Sequence, residues 1–334
     1  MRTQQKTARS EIMRLRRIIA VMALIILILV IVLISVVACG KKDTKKPSDA
    51  ADPNGATVVD PNAGGENDPN TQNGGDPNGT ASEPDPAKPP KKTVTDAEIA
   101  ALSAEAVTWG PGRNFDENDR PIDCVQLEQK YDSFDADFVW LDEPFSNKVY
   151  LTFDEGYENG YTPAILDTLK AKGVTAVFFC TGDFIRSEAG APLVQRMIDE
   201  GHIVGSHSNR HPNFTKITLE KAKEDLETIE QLMKEKYNYE MDLFRFPEGA
   251  FSEQTLALLQ QRGYRTVFWS FAYPDWDPAN QWDTQRAKDY ILEHVHGGEI
   301  MLLHAVSATN TEILGDLIDT IRAKGFEIAK YPYH

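Results

Sequence analysis

At 334 residues, with 41% hydrophobic and 26% charged side chains, the chain is long enough for one large folded body plus appendages. Its charge is uneven: residues 1–46 hold ten Lys and Arg against Glu11 and Asp43, a local +8, and the net charge of −16 therefore leaves −24 on residues 47–334. A body this acidic repels a phosphate backbone, which excludes nucleic acid as a partner. Three cysteines exclude a small domain framed by disulfides.

Residues 1–17 form a basic segment, with Arg2, Lys6, Arg9, Arg14, Arg16 and Arg17. Ile18–Ala38 follows as 21 residues without a charge and with Ser35 as their one hydroxyl. A helix of that length just crosses a bilayer core. Four lysines come after it (Lys41, Lys42, Lys45, Lys46), a modest bias that still favours a cytoplasmic N-terminus. The segment predicts a single-pass anchor in the cell membrane. A cleaved signal peptide is the alternative, and Val36-Val37-Ala38-Cys39-Gly40 resembles an imperfect bacterial lipobox, which would place a lipid on Cys39. Each of these puts the body outside the cytoplasm.

Residues 39–92 are dominated by Asp, Pro, Asn and Gly, and Asp-Pro-Asn recurs at 52, 60, 68 and 76, a strict period of eight. With almost no large apolar side chain, ordering them would go uncompensated. They predict a disordered tether spanning roughly 40 Å. Residues 93–146, with Trp109, Trp140 and the KYDSF stretch, read as an extension packed on the body as a short cap.

From 147 to 334 the pattern alternates. Strands are predicted at 147–154, 175–181, 202–207, 243–247, 265–272, 299–304 and 326–330. Between them come helices at 162–172, 191–200, 218–236, 252–262, 284–295 and 310–324, several closed by glycine, such as Gly173. Such alternation signals βαβ units and a parallel sheet. Seven strands, one short of a full eight, predict an α/β fold in the form of an irregular (β/α) barrel.

Parallel strands joined by crossover helices gather their C-terminal ends on one face, where sites of α/β barrels are built. Asp154 ends NKVYLTFD, His207 ends HIVGSH, Arg245 sits in LFRFP, Asp275 follows TVFWSFAYP and His304 ends EIMLLH. The spacing of His207 and His211 suits two ligands on one metal, or simply two surface histidines. Asp154-Glu155-Gly156 offers one carboxylate as base and a second as ligand; a capping Asp beside a solvated Glu is the plain reading. An arginine inside a buried strand needs a carboxylate partner, and Asp154 is the candidate for Arg245, in a site or in an ordinary core ion pair. His304 reads either as a satisfied core histidine or as an acid charged and oriented by Asp275, with Trp276 as a wall. Acids, histidines and an arginine converging on one mouth describe a hydrolase more readily than a binding module.

The motifs TFDEG, HSNRH, RFPEG, DW and LLH, in this order and spacing over about residues 140–330, resemble those of the polysaccharide deacetylase family. LTFDEGYENGYTP, with KYDSF upstream, is similar more narrowly to the delta-lactam biosynthetic de-N-acetylases, which act on muramic acid of peptidoglycan, typically in the spore cortex. The resemblance implies Asp154 as catalytic base, His207 and His211 as metal ligands, Arg245 holding Asp154 ionised, and His304 as general acid with Asp275 behind it. It implies that the amide of Glu248 helps bind the oxyanion and that a divalent ion, zinc by the donor set, serves as cofactor. Glu155 stands where the family has the third metal ligand, an aspartate, and is expected either to complete a two-histidine, one-carboxylate zinc site or to leave the metal weakly bound. The expected partners are peptidoglycan glycan strands, and the membrane through residues 18–38. Deacetylation of N-acetylglucosamine, and a wall-binding pseudoenzyme holding glycan through Trp276, are the rival readings.

Overall fold

The computed structural model describes residues 93–332, all within one compact unit of the chain; the predicted anchor and the 39–92 linker lie outside the described residues. Among the described residues no helix is long and apolar enough to cross a membrane. The strands are β1 Ala136–Asp137, β2 Lys148–Glu155, β3 Val177–Cys180, β4 Ile203–Ser206, β5 Leu243–Phe244, β6 Arg265–Val267, β7 Glu299–His304 and β8 Glu327–Ile328. The helices are α1 Asp96–Ala101, α2 Ile122–Tyr131, α3 Thr162–Lys172, α4 Gly182–Arg186, α5 Gly190–Asp199, α6 Leu219–Tyr237, α7 Glu253–Arg262, α8 Thr284–His294 and α9 Ala308–Ala323.

All strands pair in parallel, in the order β1-β6-β5-β4-β3-β2-β7 with β8 set against β2. The sheet curls into a half-barrel, and a bridge between Phe271 and Met301 links the chain beyond β6 to β7. Two expectations need correction. The extension contributes a strand, because β1 pairs with β6 at Ala136–Thr266 and Asp137–Val267. The predicted strand 265–272 is broken after Val267, for a reason the site makes plain: a side chain takes the carbonyls of Val267 and Phe268.

Local signals explain the helices that position the site. Thr218 caps α6 by accepting the Lys221 amide, and Gly173 ends α3 with φ +60, a left-handed turn that side chains resist.

Strand alternation then sorts side chains between two cores. Tyr150, Val177, Phe179, Ile203, Leu243, Val267 and Ile300 fill the inside of the half-barrel. Val149, Leu151, Phe153, Phe178, Cys180, Val204, Phe244, Met301 and Leu303 belong to the larger core. Counting by twos from the inner set gives Asp154 from Tyr150, His207 from Ile203, Arg245 from Leu243 and His304 from Ile300. Four of the predicted side chains thus share the inner face at the C-terminal ends. Gly205 makes room for the interior: a Cβ there would meet the Phe179 ring at 2.6 Å.

Candidate active site

Arg245 is fully buried, and each of its three nitrogens donates a hydrogen bond. Its Nε donates to Val267 O at 3.0 Å and Nη2 to Phe268 O at 2.9 Å, the two carbonyls withdrawn from the ladder. The third arm, Nη1, donates to Asp154 Oδ1 at 2.9 Å. The guanidinium lies over the Phe179 ring, 4.2 Å from its centroid, on the ring that Gly205 admits. A planar fork held by two main-chain acceptors has one direction left in which to point.

Asp154 is 6% exposed. Burial alone would raise its pKa; facing charges from His207, Arg245 and His304 outweigh that and hold it below the usual carboxylate value. His207, however, is itself pulled down to about 4, chiefly by burial, and is neutral at physiological pH. Arg245 and His304 are therefore the cations that keep Asp154 ionised.

His207 Nδ1 lies 2.9 Å from Arg245 O, so the neutral ring carries its proton there and Nε2 presents a lone pair. That nitrogen faces Asp154 Oδ2 at 3.5 Å, two acceptors with no proton between them. His211 is brought back beside it by a tight turn in which Ser208 and His211 are left-handed, with φ +67 and +54. The His211 amide donates to Ser208 Oγ at 2.8 Å. Asp225 of α6 secures the turn by accepting the Asn209 and Arg210 amides at 2.7 and 3.1 Å. The two imidazole centroids are 4.8 Å apart. A pair of imidazoles, one with its lone pair oriented by a main-chain bond, offers two of the nitrogen donors that a divalent cation takes.

Glu155 does not join them. Asp154 points into the half-barrel, so its strand neighbour points to the helical side, with Val149, Leu151 and Phe153. There the Glu155 carboxylate accepts from Thr162 Oγ1 at 3.4 Å and leaves Oε2 without a partner among the described residues. Burial, then Glu158 and Asp154, push its pKa well up. Among the described residues no group of three His, Cys, Asp or Glu side chains gathers to hold a metal. The expected third ligand is therefore corrected: alternation turns it away.

His304 faces Asp154 directly, since the two are register partners across β7 and β2. Its Nδ1 is 2.7 Å from Asp275 Oδ1, and its amide donates to Asp275 Oδ2 at 2.8 Å. Burial works against the imidazolium, but the Asp275 bond and charge, then the Asp154 charge, win, and the pKa is raised above the usual histidine value. Asn310, which the sequence reading passed over, donates to Asp275 Oδ2 at 2.6 Å and accepts from the Tyr273 hydroxyl. It begins α9 and fixes Asp275 from behind.

These groups open onto a cleft of about 780 Å³. Asp154, His207, His211, Glu248, Trp276 and His304 all line it, together with Tyr157, Trp269 and Tyr273. Glu248 sits in a left-handed turn, φ +59, with its carboxylate accepting from Asn213 Nδ2 at 2.8 Å. Arg245, Asp275 and Asn310 stand behind the lining. A carboxylate whose pKa is held low and an imidazole whose pKa is raised, around a single cleft, can remove a proton from water and return one to a leaving group.

The chain is similar to known proteins in sequence and in fold. The family described as polysaccharide deacetylase matches residues 142–267. The peptidoglycan-N-acetylmuramic acid deacetylase PdaA of Bacillus subtilis is 39% identical over 235 residues, covering 69% of this chain and 86% of that protein. The solved structure of that PdaA, a family 4 carbohydrate esterase, superposes with a TM-score of 0.63 at 36% identity, over 69% of this chain and 96% of that one. A family 4 carbohydrate esterase from Bacillus anthracis gives 0.56 at 37%, with the same coverage.

Proposed function

We propose that this chain, which belongs to the polysaccharide deacetylase family of hydrolases acting on amides, removes the N-acetyl group of N-acetylmuramic acid in peptidoglycan. The observation that carries the chemistry is the register pairing of Asp154, bonded to Arg245, with His304, bonded to Asp275, across one cleft. The muramic substrate rests on similarity to PdaA, at 39% over most of its length.

Asp154 takes the proton from a water that attacks the acetamide carbonyl. Its charge is available because Arg245 holds it low, and Arg245 is itself held by two carbonyls. The Glu248 amide, in the turn that lines the cleft, donates to the developing oxyanion. His304 then gives its proton to the departing sugar amine as acetate leaves, with Asp275 and Asn310 keeping Nδ1 fixed so that Nε2 delivers it. Trp276 walls the sugar. The freed amine lies beside the lactyl carboxyl, and where the stem peptide is gone the two can condense to a lactam in a separate step with loss of water. Ile18–Ala38 would hold this body outside the cytoplasm on the 39–92 tether.

Family members generally use a divalent metal. Here His207 and His211 would hold it, with Asp154 adjacent, and it would supply Lewis acidity toward the acetamide carbonyl. Glu155→Gln, which replaces a buried carboxyl turned away from His207 and His211 by its neutral isostere, is expected to keep the wild-type metal stoichiometry by elemental analysis and an unchanged or higher melting temperature. Loss of metal from this variant would return Glu155 to the ligand set.

The pH profile tests the acid and base roles together. The base must be ionised, which sets an acid limb below the usual carboxylate range. The acid must be protonated, which sets an alkaline limb above the usual histidine value. His304→Ala should lower kcat by about 10²–10⁴-fold. Asp275→Asn, by removing what raises His304, should move the alkaline limb to lower pH. An alkaline limb that stays in place in Asp275→Asn would refute the assignment of His304.

A further inference from the structure

Among the described residues three large apolar side chains stand well exposed, Phe115, Tyr157 and Trp276, and two of the three line the cleft. Tyr157 is 53% exposed, and nothing in the reaction above requires it. Folding normally buries a phenol ring, whose area is among the largest contributions a side chain can make. Exposure on a loose loop would be unremarkable, but this loop is fastened on both sides. Gly156 O accepts from Thr181 Oγ1 at 3.1 Å, tying it to the end of β3. Asn159 Nδ2 donates to Val306 O at 3.0 Å, tying it to the connection between β7 and α9. Between these ties, Glu158 accepts the Gly160 amide at 2.5 Å. A ring held in water by a fastened loop, at the edge of a cleft, is preorganised for a flat, partly apolar ligand.

The chemistry of the ligand follows from where the ring stands. Tyr157 comes three residues after Asp154, and Trp276 directly follows Asp275, the partner of His304. The two exposed rings are thus connected by short chain segments to the reacting pair. A pyranose presents C–H bonds on its faces and hydroxyls at its edge, so it can cover an aromatic ring while its hydroxyls stay in water. The cleft, about 780 Å³, lies near the upper end of the range for small-molecule sites.

We propose that Tyr157 is a stacking platform for a sugar next to the one being deacetylated, and that with Trp276 it makes the cleft a site for a glycan strand rather than for a single amino sugar. This rests on the deacetylase reading for the kind of glycan.

The test is calorimetric titration of the full-length protein with single N-acetylmuramic acid and with glycan hexasaccharides freed of stem peptide, with acetate release followed in parallel. Tyr157→Ala should weaken hexasaccharide binding about 10-fold and raise KM to match, with kcat within about twofold. The preference for hexasaccharide over the single sugar should shrink, and Tyr157→Trp should restore it where Tyr157→Leu does not. Unchanged hexasaccharide affinity in Tyr157→Ala, or an equal loss for both lengths, would overturn the platform. Tyr157-dependent binding without acetate release from any glycan would keep the platform and remove the deacetylase reading.

Discussion

Asp154→Asn is expected to lose nearly all acetate release while the fold survives. The amide oxygen can still accept from Arg245 Nη1, and the guanidinium keeps its bonds to Val267 and Phe268, so the core beneath the site has its supports. What disappears is the basic oxygen. General-base catalysis by a positioned carboxylate contributes about 10²–10⁴-fold, and kcat should fall by that amount. Substrate binding, which depends on the cleft walls, should change little. Circular dichroism and calorimetric titration with glycan check the fold and the binding; a kcat within tenfold of wild type would remove Asp154 from the chemistry.

Arg245→Leu is expected to cost both activity and stability. It leaves Asp154 buried without its cation, and breaking a buried pair in this way costs about 3–5 kcal/mol. The sign of the pH dependence separates this from a simple packing defect. In the native protein the folded pKa of Asp154 is depressed, so the ion pair contributes stability above the unfolded carboxylate value and loses it as pH falls through the folded value. Without Arg245, burial dominates and the folded pKa rises, so acid should favour the folded state by protonating the stranded carboxyl. The stability deficit of Arg245→Leu should therefore shrink between neutral pH and about pH 4. Denaturation midpoints at the two pH values measure it, and a deficit independent of pH would mean that the charge of Asp154 is not what Arg245 balances.

The fold was legible in the sequence wherever a strand or helix was long enough to show its period. Helix Thr162–Lys172 and strand Glu299–His304 coincide with the sequence reading to the residue. Strand β1 has two residues and carries no period at all, so its place in the sheet became visible only through its pairing with β6. The break after Val267 has a tertiary cause, the capture of two carbonyls by Arg245, that no local pattern records.

The site divides in the same way. Asp154, His207, Arg245 and His304 could be read because each ends or follows an apolar run, and the curl of the sheet brings such ends together. Glu155 was misplaced by treating an adjacent acidic pair as two donors to one site, when alternation sends neighbours to opposite faces. Asn310 and Asp225 act from helix α9 and helix α6 on groups far away in the chain. Tyr157 lay inside a motif that was legible, but its exposure is a property of the folded loop.

The most direct test uses peptidoglycan freed of stem peptides, incubated with the full-length protein, digested to disaccharides and analysed by mass spectrometry that assigns each acetyl group to its sugar. The proposed function predicts muramic acid that lacks its acetyl group, accumulating with time and absent after treatment with Asp154→Asn. Glycan that keeps every acetyl group, or loses them equally to the variant, would contradict it.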